Sequence, residues 1–298
     1  MGDANDIRKR WVTQMLAARM VARVATALAP DARVMPVKGT LVARRFYDDP
    51  SERPMSDCDL VLVGVRARDA ARRLVEEGWR VADWSNDPDV VDVAHPAIPG
   101  IHADLHSRPL PRGYGAVTAS WLAEGATVDR ALFGVEVLIP DDRRLLVHLL
   151  GNILRDHVVN AREHTAEDVA RVLARSSYDV AAFADTIGEA RLRVGCATAL
   201  DWVASRSGEP RVRALREALA LTAAERLYAS ARERVLRTSS TAGASLAVRV
   251  VARCVSDDAR DVGSGSKSPD ERERAATIAV TCGRSARAMR ARSAGAAA

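Results

Sequence analysis

Apolar and polar positions divide this chain into two unlike parts near Pro140. Before that point, short apolar runs alternate with helical stretches. Trp11, Met15, Leu16, Val21, Val24 and Leu28 recur at helical spacing and predict an amphipathic helix over residues 5–29, stopped by Pro30. The run 33–38 (RVMPVK) reads as a strand closed by Gly39, and 40–47 as a second, short helix. A turn-rich segment follows at 48–52. Residues 57–63 (DCDLVLV) read as a strand with Gly64 as its stop, 66–77 as a helix ending at Gly78, and 79–84 as a strand. Prolines 88, 96 and 99, with Asn86 and Gly100, mark 85–100 as loop. Residues 101–106 (IHADLH) alternate with the period of a half-buried strand, and 135–139 (VEVLI) is a further strand candidate.

Past Pro140 the period turns helical. Residues 141–158 predict one helix and 164–175 another, with Thr165 as its cap and Asp168 three residues on. Ala, Leu, Val and Arg continue at helical spacing to about 256. Residues 263–269 (GSGSKSP) read as a linker, 270–282 as a last helix, and 283–298 as a frayed tail of Arg, Ala, Ser and Gly. The predicted class is α/β of the α+β kind. A small mixed sheet with flanking helices occupies 1–140, a helical region 141–262, and linker, helix and tail 263–298.

Composition narrows the function. At 48% apolar the chain can bury a sizeable core, and it has no apolar run of 18 residues that would span a membrane. The opening MGDANDIRKRW has no apolar stretch behind its basic cluster, so no secretory signal is expected. Cysteines 58, 196, 254 and 282 lack C-x-x-C spacing, which argues for reduced thiols and a cytoplasmic setting. Net charge is +5, but Arg284, Arg287, Arg290 and Arg292 in the tail supply +4 of it with no acid nearby. The body is then close to neutral, and no nucleic-acid-binding face is expected on it.

The candidate chemistry lies before Pro140. Asp57 and Asp59 are two apart on a predicted strand, so both carboxylates leave one face. Adjacent carboxylates repel unless a cation lies between them, and Mg²⁺ is the commonest oxygen-seeking cation for such a pair. Upstream, Lys38-Gly39-Thr40 marks a strand-to-helix turn whose backbone N–H groups can hold a phosphate. Downstream, Asp104 lies on another predicted strand and can supply a third carboxylate. Together these make a two-metal phosphoryl-transfer layout. Lys38 reads as a point charge on a phosphate or as a strand-end lysine reaching solvent. Arg53 reads as a phosphate clamp, a partner of Asp57, or a solvated loop residue. Thr40 reads as the helix N-cap before a phosphate contact. His106 shares the face of Asp104 and would orient it, touch the acceptor, or serve structure alone. His95, His102 and Tyr47 read as structural. Asp92 is an alternative third carboxylate, set behind Asp104 because its neighbours look loop-like.

Val37-Lys38-Gly39-Thr40-Leu41, Tyr47, Arg53 to Leu60 (RPMSDCDL), His95-Pro96 and Ile101 to His106 together resemble the uncharacterised nucleotidyltransferase family of the DNA polymerase β superfold, over about residues 33–108. Lys38-Gly39 stands where the superfold more often has Gly-Ser or Gly-Gly. The resemblance implies transfer of a nucleoside monophosphate from an NTP to an acceptor, with release of pyrophosphate. It implies that Asp57 and Asp59 bind two Mg²⁺ (or Mn²⁺) ions and that Asp104 ligates the ion activating the acceptor hydroxyl and helps take its proton. It also implies that Gly39 opens the turn receiving the triphosphate, with Lys38, Thr40 and Arg53 beside it. The helical region would select the acceptor, which a small molecule, a peptide or protein, or an RNA end could each provide. On this reading Asp57→Ala and Asp59→Ala each abolish transfer and leave the fold intact. The rival is a nucleotide- or protein-binding module that has lost turnover on the same fold; an RNA-directed enzyme is a third reading. No P-loop, G-x-S-x-G elbow or kinase H-R-D is present.

Overall fold

Five strands form one mixed sheet in the computed structural model of the chain, which describes residues 4–230 apart from 86, 112–113, 157–160, 224 and 228. The strands are β1 (Arg33–Pro36), β2 (Asp57–Val63), β3 (Arg80–Asp83), β4 (Val90–Ala94) and β5 (His102–His106). Their order is β1-β2-β5-β4-β3. β2 and β5 are parallel, and the other neighbours are antiparallel. The chain divides into two compact units, residues 1–109 with 118–145, and 110–117 with 146 onward. The expected helix at 270–282, the linker and the tail lie outside the described residues. No described helix is long and apolar enough to cross a membrane.

β2 sits between β1 and β5, and its Cys58 to Leu62 are all buried. A strand covered on both faces needs a continuous apolar run, which LVLV supplies. One face, with Cys58, Leu60, Ala103 and Leu105, lies against α1 (Ala4–Leu28) and α3 (Ala67–Glu76). On the other face Met35, Val37 and Val61 pack with Leu122 of α4 (Ala119–Ala123) and Leu138 of β7 (Val137–Ile139). β6 (Thr127–Asp129) pairs with β7. α2 (Lys38–Phe46) connects β1 to the segment before β2. The apolar packing thus covers both faces at mid-sheet. The polar residues of β2 and β5 cluster where Asp57, Asp59 and Asp104 stand.

Strand β4 corrects the sequence reading, which placed 85–100 in a loop. Its five residues VVDVA alternate buried and half-buried, but proline and glycine on either side outweigh so short a signal. α4 and β6 were likewise not foreseen.

The second unit contains the end of α5 (Asp142–Arg155), then α6 (Glu163–Arg175), α7 (Val180–Glu189), α8 (Arg193–Ala204) and α9 (Pro210–Ala218). Asp179 caps α7 by accepting the Ala182 N–H at 2.8 Å. The cap expected at Thr165 is instead at Arg162, whose side chain makes no capping bond. Arg211 donates to the carbonyls of Leu173, Ser176 and Tyr178. It thereby satisfies groups that the end of α6 leaves open.

Candidate active site

The parallel pairing of β2 with β5 sets Asp57 opposite His102 and Asp59 opposite Asp104. Paired residues share a face, as do residues two apart, so all four side chains and that of His106 leave the same side of the sheet. Two ligand trios result, Asp57–His102–Asp104 and Asp59–Asp104–His106. The donor atoms within each lie within 4.8 Å of one another.

Asp59 is the most tightly held member. Its N–H donates to Thr40 Oγ1 at 3.2 Å, and its carbonyl accepts the Val37 N–H at 3.0 Å. The Lys38 ammonium donates to Asp59 Oδ1, and His106 Nε2 lies 3.2 Å from the same oxygen. Burial alone would raise the Asp59 pKa. The charge of Lys38 and the bond from His106 overcome it and hold this carboxyl far below the ordinary range.

Lys38 reaches Asp59 because its backbone is left-handed, with φ +48°. A lysine in that region is strained by about 1–2 kcal/mol, which the ion pair helps to offset. Lys38 therefore stands at the start of α2, paired, and not at a strand end facing solvent. Thr40 is also not the N-cap. Val37 holds that position without a side-chain bond, and the Thr40 hydroxyl serves β2 instead.

Asp104 is the opposite case to Asp59. Its Oδ1 is buried and accepts no hydrogen bond. Burial, and then the charges of Asp59, Asp92 and Asp57, push its pKa up to about 8. Asp92 enters because β4 pairs with β5 in the register Asp92↔Asp104, and β3 sets Asp83 opposite Asp92. A row of four aspartates, Asp59, Asp104, Asp92 and Asp83, therefore crosses four strands. Burial, first of all, raises the Asp92 pKa as well.

The pH dependence follows. An acid whose folded pKa is raised binds its proton more tightly in the folded chain. Its contribution to stability is complete below the unfolded value and is lost as pH rises through the folded one. The cation-free chain is expected to lose stability as pH climbs from 3.8 through about 8 as Asp104 ionises. Asp92→Asn removes one repelling charge, so it should lower the Asp104 pKa and flatten that loss. Carboxyl ¹³C titration, with melting temperature against pH, measures both. An Asp104 titration identical in the variant would show that the two carboxyls do not communicate.

Arg53 is buried. Gln14 Nε2 donates to its carbonyl at 3.0 Å, and its own guanidinium donates to the Pro54 carbonyl. That guanidinium covers Gly39, where an added Cβ would come within 2.9 Å of Cζ. Lys38 and Arg53 thus bring two cations to the N-terminus of α2, the end of a helix that attracts anions.

Among the other residues singled out from sequence, Tyr47 is buried. His95 sets its ring edge-on to Trp79, and its Nδ1 accepts the Ala97 N–H, as a structural histidine would. His106 bonds to Asp59, where the strand spacing alone had pointed to Asp104. Sequence reasoning read His102 as structural and set Asp92 behind Asp104 as a third carboxylate. For His102 the signal was present, since H-x-D-x-H on a strand places all three on one face. For Asp92 it depended on recognising β4.

Residues 6–206 match a family described as uncharacterised nucleotidyltransferase, and the chain belongs to that family. A comparison with curated proteins finds no match. The family and the acidic cluster together support a general nucleotidyl-transferase role.

Proposed function

We propose that the chain is a divalent-metal-dependent nucleotidyltransferase with a polymerase β-like core. It would transfer a nucleoside monophosphate from an NTP, such as ATP, to an acceptor hydroxyl and release pyrophosphate. The observation that carries this reading is the cross-strand set Asp57, Asp59 and Asp104 in a chain of this family. The residues fit a hard cation, since the set is rich in carboxylate oxygen and one of those oxygens, Asp104 Oδ1, is buried without a donor.

Asp57, Asp59 and Asp104 would hold Mg²⁺ or Mn²⁺. A bound cation would neutralise phosphate charge and lower the proton affinity of the acceptor hydroxyl. Lys38 and Arg53, with the Gly39 and Thr40 end of α2, would bind the triphosphate oxygens. The acceptor oxygen forms a bond to the α-phosphorus, and the bond from that phosphorus to the bridging β-oxygen breaks. Pyrophosphate leaves with the electron pair, and the acceptor proton passes to Asp104. His106 keeps the Asp59 carboxylate in place. The helical region 141–262 would select the acceptor, and an NTP donor suits a cytoplasmic setting.

A thermal-shift titration with each of the four NTPs, with and without Mg²⁺, tests the reading on wild type and Asp57→Ala. A ligand bound only by the folded state stabilises it by about 2.7 kcal/mol at a hundredfold excess over Kd, and so raises the midpoint. The expected result is a cation-dependent rise for wild type that is lost in the variant. No rise with any nucleotide would overturn the proposal.

A further inference from the structure

We propose that the first divalent cation enters at Asp57, His102 and Asp104, and that His102 makes this position favour a first-row transition ion such as Mn²⁺ over Mg²⁺. The inference rests on the nucleotidyltransferase reading and adds to it a ligand and an ion class.

The two trios share Asp104 but differ in what already neutralises them. In the Asp59 trio, one oxygen of Asp59 receives both the Lys38 ammonium and His106 Nε2. A cation arriving there must displace an ammonium from a nearly buried carboxylate. In the other trio all three residues are half-buried. Asp57 is approached by the Ser56 hydroxyl at 3.4 Å, and Asp104 Oδ1 accepts no hydrogen bond. Charge therefore favours loading at Asp57 first.

The geometry suits one ion. Two donors each about 2.1 Å from a cation lie roughly 3.0 Å apart when adjacent and roughly 4.2 Å apart when opposite. His102 Nε2 and Asp104 Oδ1 are 3.8 Å apart, within that interval. His102 stands opposite Asp57 in the register, so the backbone pairing of β2 and β5 itself assembles the trio.

The donor chemistry sets the preference. Mg²⁺ takes oxygen ligands and keeps much of its water. Imidazole binds first-row transition ions more readily than it binds Mg²⁺; Mn²⁺ stands at the weak end of the Irving–Williams order, so the preference read with Mn²⁺ is the smallest that the site should show within that row. A trio of two carboxylates and one imidazole should discriminate where three carboxylates would not. The His102 side chain is 44% exposed, so replacing it leaves the core undisturbed.

The test is a titration of the full chain with Mn²⁺, followed by the EPR signal of the free ion, and repeated in competition with Mg²⁺. Wild type, His102→Ala, His102→Gln and Asp57→Ala are compared, with melting curves to confirm that each is folded. The expected preference of wild type for Mn²⁺ falls about tenfold or more in His102→Ala, the scale on which groups around a metal change its affinity. His102→Gln, which offers oxygen in place of nitrogen, is expected to keep Mg²⁺ binding and lose the preference. Asp57→Ala should weaken both ions. A preference unchanged in both His102 variants overturns this inference and leaves the nucleotidyltransferase reading intact. Failure of wild type to bind either ion overturns both.

Discussion

Replacing Asp59 with alanine will abolish nucleotidyl transfer and also lower the melting temperature, whereas replacing Asp57 will abolish transfer alone. Each change removes a proposed metal ligand, and a loss of at least about a thousandfold in turnover is expected, the upper end of what removing one transition-state charge partner costs. The structural consequences differ. Asp57 is half-buried, with the Ser56 hydroxyl at 3.4 Å. Asp59 is buried beneath Lys38 and His106. Without it the Lys38 ammonium keeps its strained backbone and its partial burial but loses its counter-charge. Orphaning one member of a fully buried pair costs about 3–5 kcal/mol. The Lys38 side chain is 17% exposed and can turn toward water, so about 1–3 kcal/mol is the better expectation here. The sequence reading, in which both variants keep the fold intact, is thereby amended for Asp59.

A second substitution separates the two effects. In Asp59→Ala/Lys38→Met neither charge remains, and stability should return toward wild type while transfer stays absent. Calorimetric melting and pyrophosphate release are the two readouts. If either single aspartate variant turned over at the wild-type rate, the catalytic assignment would be wrong. If Asp59→Ala melted with wild type, the Lys38–Asp59 pair would contribute nothing to stability.

Among the described glycines of the second unit, Gly115→Ala is expected to produce the largest loss of stability. Gly115 has φ +69°, a region that costs an L-residue about 1–2 kcal/mol. A Cβ there would also come within 2.3 Å of the Ala190 carbonyl oxygen and 2.7 Å of Leu192 Cγ. The carbonyl is backbone, and it already accepts the Ala116 N–H at 2.9 Å. Relief therefore means moving the segment 110–117 away from the end of α7 and breaking that bond. Overpacking adds about 1–3 kcal/mol, for a total of about 2–5 kcal/mol. Gly125→Ala is the control. Its φ is +74°, but nothing lies within 4 Å of an added Cβ, so only the backbone cost is expected. Urea denaturation of the two variants compares them directly. Equal midpoints would mean that the close approach at Ala190 relaxes without cost.

These expectations show which parts of the protein were legible before its tertiary structure. Asp57–Val63 was read as a strand at its observed bounds. The apolar run LVLV closed by Gly64 is a strong local signal, and the period of two placed both aspartates on one face. Asp104 was placed on a strand for the same reason. β4 was not legible, because five alternating residues flanked by prolines carry less signal than the prolines do, and Asp92 was set aside with it. The stretch after Pro140 was read as helical from the 3.6 period, although the cap of α6 was misplaced by three residues.

Composition and periodicity by themselves determined a mixed α/β class, a helical stretch after Pro140, and a carboxylate pair sharing one strand face. Only the tertiary structure decided that β5 lies parallel beside β2, with Asp104 level with Asp59 and His102 level with Asp57. It also decided that Lys38, in a left-handed conformation, turns onto Asp59, and that the Thr40 hydroxyl serves β2 instead of capping α2. The physical reason is that a period belongs to one segment and is written in its own residues. A register belongs to two segments far apart in the chain, and packing and hydrogen bonding select it only once both are present.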